Sequence, residues 1–113
     1  MYDIITFGSA TRDIFVTGKK FQIVEEEKFI TQKGLCVPLG SKIDMEQIFF
    51  AMGGCGANTA VTFARQDFKT AYCGQISQDA GGREIKRILS QEGVSTELIK
   101  ETNQWLTPYS IIL

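Results

Sequence analysis

The chain has 113 residues, with 12 basic and 13 acidic side chains, a net charge of −1, no histidine and three cysteines. That length suits one domain able to bury a modest core, and the even charge balance excludes the footprint of a nucleic-acid or anionic-membrane binder. Without histidine there is no Ser-His or Cys-His nucleophile, and Cys36, Cys55 and Cys73 lack the spacing of a zinc site or a disulfide scaffold.

No apolar run approaches the ~18 residues of a membrane span and no leader precedes the first apolar segment, so a cytoplasmic location is expected. Tyr2 to Phe7 is mostly apolar and ends at Gly8-Ser9. It is read as a central strand of a covered α/β sheet. Polar groups just beyond the carboxyl end of such a strand stand where open α/β sheets bind ligands, and Asp13 is in that neighbourhood.

From Arg12 to about Phe50 the pattern changes to short runs broken by turn residues: Ile14–Thr17, Phe21–Val24, Lys28–Thr31 and Leu35–Val37. No helix-length periodicity occurs there, so the segment reads as a small antiparallel sheet inserted between the first strand and the first helix. Phe15, Phe21, Ile23, Phe29 and Ile30 are too many apolar residues for a sheet wet on both faces, so one face should be covered. The acidic Glu25-Glu-Glu-Lys28 is read as a solvated loop or strand edge.

Ile48, Phe49, Phe50 and Met52 read as the end of a buried strand, and Ala57, Ala60, Val61 and Ala64 recur at the spacing of a helix face. Gly53, Gly54 and Gly56 therefore stand at a strand-to-helix turn. Glycine lets another group approach the backbone closely, and the free N–H groups of a first helical turn attract polar or anionic ligands. Cys55 lies in this turn, where a helix N-terminus lowers a thiol pKa; it is read as a small residue fitting a crowded place.

A helix is expected over 57–66, a short parallel strand over 70–73, a loop over 75–79 and a second helix over 81–92. Ile85, Ile88 and Leu89 form the second helix's apolar side, with Asp79 as its cap and Gly93 at its end. Val94–Ile99 reads as extended. The run Ile111-Ile-Leu113 has no turn signal after it, so the chain reads as truncated at its carboxyl end.

Four stretches in order, Ile4–Asp13, Gly53–Ala60, Phe68–Gly74 and Ser77–Gly82, resemble the amino-terminal signature of ribokinase-like (PfkB-type) carbohydrate kinases. The resemblance implies an α/β fold in which a parallel sheet is flanked by helices. It also implies a small β lid, about residues 12–50, that closes over the sugar and pairs with its counterpart in a homodimer. Residues 1–113 would be the amino-terminal part of such a domain. The family's second signature, with the catalytic aspartate and the anion hole, is not matched, so no catalytic residue is assigned.

Residue by residue, the resemblance makes Asp13 an acceptor for sugar hydroxyls, with Ser9 assisting. Gly53 and Gly54 give a backbone the ring can pack against, and Asn58 bonds a hydroxyl or holds the glycine turn. The family pattern often has Lys where Cys55 stands, which leaves the identity of the sugar open. The implied function is the substrate-binding portion of an ATP-dependent carbohydrate or nucleoside kinase. ATP and Mg²⁺ belong to the full-length parent, and neither cofactor is expected on this chain alone. The isolated chain is expected to be inactive, its partners being a small sugar or nucleoside. One alternative is a non-catalytic sugar-binding or oligomerising remnant. Another is a dinucleotide-binding module, for which Gly54-Cys-Gly56-Ala-Asn-Thr59 supplies only two of the glycines of G-x-G-x-x-G.

Overall fold

A computed structural model describes residues 1–19 and 21–113; Lys20, inside the expected 12–50 insertion, lies outside the described residues. Strand β1 (Ile4–Phe7) pairs in parallel with β6 (Thr70–Ser77), and β6 pairs in parallel with β7 (Ile99–Thr102). Helix α1 (Cys55–Ala64) precedes β6 and α2 (Ala80–Gln91) follows it. The strand–helix alternation of the sequence thus becomes parallel strands joined by helical crossovers. Ala57 and Ala60 of α1, Ile85 and Leu89 of α2, and Tyr72 and Ile76 of β6 form one buried core. The two alanines allow α1 to lie close to the strands.

The central strand is β6, bonded on both sides, whereas β1 stands at the end of this sheet. Ile5 and Phe7 point to the exposed side of β1, while Thr6 is buried. Both findings correct the expectation of a covered central first strand: the helices described here cover one face only. β6 also runs four residues past the expected Cys73, taking up most of the expected 75–79 loop. The strand at β7 begins where the expected 94–99 segment ends, and Ser95 touches the sheet by a single bridge to Ala71.

The insertion is strand-only among its described residues. β2 (Thr11–Thr17) is antiparallel to β5 (Gln47–Gly53), and β3 (Gln22–Glu25) is antiparallel to β4 (Lys33–Cys36) in a separate two-stranded sheet. Lys28–Thr31, read above as strand-like, is instead the turn between β3 and β4, closed by Phe29 N–H to Glu26 O at 3.1 Å and Gln32 N–H to Phe29 O at 2.8 Å. β5 is not buried. Ile48, Phe49 and Phe50 are half exposed or more, because β5 is a sheet edge with β2 as its sole strand neighbour among the described residues. The carboxyl run joins the same sheet. β8 (Tyr109–Ile112) pairs in parallel with the other side of β2.

Asp79 ties the two sheets together. It accepts the Gly82 N–H at 2.9 Å as the cap of α2, and also the Thr107 N–H at 2.8 Å and the Thr107 hydroxyl, just ahead of β8. These bonds, the Thr107 hydroxyl first, lower its pKa from 3.8 to about 2. A folded value below the unfolded one gives stability that is present above pH 3.8 and is lost as the pH falls through 2. Asp79→Ala should lower unfolding free energy at neutral pH by about 1–2 kcal/mol, the usual range for a lost cap. In urea melts followed by circular dichroism, the gap between wild type and variant should close as the pH approaches 2. A gap independent of pH would mean that Asp79 acts through packing and not through its charge.

Candidate functional site

The loop after β1 and the turn between β5 and α1 meet backbone to backbone. Gly54 has φ 96°, and a Cβ there would collide with the Ser9 carbonyl oxygen. Only glycine satisfies both the dihedral and the approach. Gly8 and Gly56 face each other in the same way, a Cβ on Gly56 standing 2.8 Å from the Gly8 backbone. Two side chains lock the contact from below. The Thr6 hydroxyl donates to Gly56 O at 3.0 Å, and the fully buried Tyr72 donates its hydroxyl to Gly8 O at 2.8 Å. Ala57 N–H completes it with a 3.2 Å bond to Ser9 O.

Asp13 sits on β2 opposite Ala51 of β5 and Ser110 of β8. Cross-strand partners share a face, so Thr11, Asp13, Ala51, Gly53 and Ser110 lie together on one side of this sheet. The Thr11 hydroxyl donates to Asp13 Oδ1 at 3.0 Å. Oδ2 lies where a Cβ of Gly53 would otherwise be. Gly53 therefore has a role that sequence reasoning did not assign: it makes room for the chain's own carboxylate. The opposite face carries Arg12, buried, with its guanidinium 5.9 Å from the Phe50 ring centroid and 3.4 Å from Ala51 O.

Ser9 and Cys55 form the neighbouring part of the site. Ser9 Oγ is 3.6 Å from Cys55 Sγ, and both residues are exposed. Hydrogen bonding from the Ser9 backbone, and then from its side chain, holds the exposed Cys55 thiol below its ordinary pKa. Asn58 is exposed on α1, its N–H bonded to Gly54 O at 2.9 Å. It lines a shallow cavity of about 320 Å³ with Met52, Thr62 and the Arg65–Glu92 ion pair. The backbone thus brings Ser9, Asp13, Gly53 and Gly54 into one constellation, whereas Asn58 lines its cavity with Met52, the register partner of Arg12 on the opposite sheet face. Thr11 and Ser110 were missed. Thr11 was legible, since two residues apart on a strand means one face; Ser110 was not, because its place depends on β8 pairing across a long stretch of chain.

A carboxylate with a free acceptor oxygen, hydroxyls and a close-packed glycine backbone is suited to holding a polyhydroxylated neutral ligand. The pfkB family carbohydrate kinase profile matches residues 13–113. A fructokinase from Vibrio alginolyticus is 49% identical over 53 residues, 46% of this chain and 17% of that protein. A ribokinase from Haemophilus influenzae is 34% identical over 73 residues, 65% of this chain and 24% of its own length. Among solved structures, the Arabidopsis thaliana ribokinase complexed with ribose and ATP superposes with a TM-score of 0.76 at 24% identity, over 97% of this chain and 31% of that one. A PfkB protein from a Polaromonas species gives 0.71 at 20% identity, over 98% and 31%. The chain spans a quarter or less of the curated relatives and about a third of the solved chains.

The glycine contact can be tested against an internal control. Gly93 also has positive φ, 79°, but a Cβ there would meet open space. Gly93→Ala should cost about 1–2 kcal/mol from the dihedral alone, and Gly54→Ala clearly more, roughly 3 kcal/mol. Equal losses in urea denaturation would show that the Gly54–Ser9 contact relaxes freely.

Proposed function

This chain belongs to the pfkB family of carbohydrate kinases, and from that premise we propose that it forms the substrate-holding, amino-terminal part of an ATP-dependent kinase that phosphorylates a sugar hydroxyl. The observation that supports this most is Asp13: a carboxylate fixed between Thr11 and Gly53, with Ser110 beside it on the same sheet face. Asp13 accepts hydrogen bonds from sugar hydroxyls, Ser9 and Asn58 bond further hydroxyls, and the backbone at Gly53 and Gly54 forms the floor. Residues 12–50 act as the lid. The exposed apolar side chains on its outer hairpin, Ile23, Phe29, Ile30 and Leu35, favour a homodimer made through that lid.

ATP and Mg²⁺ supply the phosphoryl group and neutralise its charge in the whole protein. The residues of this chain orient the acceptor and exclude water from it; none is assigned to the nucleotide. No helix among the described residues is long and apolar enough to cross a membrane. A cytoplasmic enzyme acting on a small soluble substrate is the reading this supports.

Calorimetric titration with D-ribose, D-fructose and adenosine, in wild type and Asp13→Asn, tests the assignment. Binding of the preferred ligand should weaken by about 1.5–3 kcal/mol, as for hydrogen bonds to a charged group, while ATP affinity of the full protein stays unchanged. Equal losses for sugar and ATP would make Asp13 a support of the fold. No binding of any of the three by wild type would overturn the reading.

A further inference from the structure

We infer that Thr11 is a positioning residue whose hydroxyl sets the Asp13 carboxylate in its working orientation; its bearing on ligand binding rests on the sugar-site reading above. Asp13 has no ion pair among the described residues to hold its carboxylate. It is half-buried on a strand, where several side-chain rotamers are open to an aspartate. Two features select one of them. The Thr11 hydroxyl, on the same face, donates to Oδ1 at 3.0 Å, and the missing side chain of Gly53, directly across from Thr11 in the register, leaves the place that Oδ2 fills.

Neither feature suffices alone. Gly53 gives room without attraction, whereas an O–H donor to a carboxylate gives attraction with direction. The bond consumes one acceptor position on Oδ1 and leaves those of Oδ2 for ligand hydroxyls. Thr11 itself is held by its strand, since β2 is paired through Thr11↔Gly53 and its stiff β-branched side chain has few rotamers. The hydroxyl is therefore a fixed point from which the carboxylate takes its direction.

Thr11→Val removes the hydroxyl but keeps the volume and strand preference, and Thr11→Ser keeps the hydroxyl. Three-bond couplings from Hα to Hβ of Asp13, measured by NMR on the full chain without ligand, should show one rotamer in wild type and in Thr11→Ser, and averaging in Thr11→Val. Calorimetry with D-ribose and D-fructose should show a loss of roughly tenfold in Thr11→Val and about twofold or less in Thr11→Ser. Urea melts on the same samples should be close to wild type for both. Unchanged Asp13 couplings in Thr11→Val would overturn the inference whatever the sugars do. Averaged couplings with undiminished sugar binding would leave the Thr11–Asp13 constraint standing and sink the sugar-site reading instead.

Discussion

The contact on which the arrangement depends is the close approach of Gly8-Ser9-Ala10 to Gly53-Gly54-Cys55-Gly56. Backbones that meet without side chains between them leave no slack, so the carboxyl end of β1 and the amino end of α1 have one relative position. Tyr72 and Thr6 hold that position from inside the core, donating to Gly8 O and Gly56 O. Tyr72 in turn needs Gly74, whose missing Cβ leaves room for the phenol oxygen. Burial raises the Tyr72 pKa above its ordinary value, which keeps it a hydrogen donor throughout the working pH range. Because Asp13 follows Gly8 by only five residues and its Oδ2 packs against Gly53, diagonally across from it on β5, this contact also sets where the carboxylate stands.

The parts legible in the sequence were those decided locally. Period and capping residues placed α1 and α2 within two residues at each end, with Asp79 bonding Gly82 and Gly93 in the left-handed region beyond α2. The strand-only character of the insertion was equally plain, since no 3.6-residue repeat runs through it. What failed was decided by distant partners. Phe49 and Phe50 look buried by composition, yet among the described residues β5 has a strand on one side only. Ile111 and Ile112 read as strand, but their partner was not legible: β8 lies beside β2 in a register no short window contains. Ile30 looks like strand but occupies a turn tip, where tertiary placement overrides apolar character.

Among the described residues the two larger sheets share no hydrogen-bonded strand pair, and what joins them is small. The chain passes from β1 to β2 and from β5 to α1 through the glycine contact, and Asp79 reaches from the cap of α2 to Thr107 ahead of β8. The candidate site lies along this seam. Ser9 and Cys55 stand on the side of the parallel sheet, while Thr11, Asp13 and Ser110 stand on the other sheet. A ligand held at the seam touches both.

Among the described residues the β3–β4 hairpin bonds to no other strand, and the molecule measures 53 × 28 × 26 Å, long for its size. A limb paired only with itself is nearly free of the constraints acting on β2. Residues can be gained, lost or exchanged at its tip, around Glu26–Gln32, without disturbing the Asp13 register or the glycine seam. Selection for new ligands would have its raw material there, at little cost to the ability to fold.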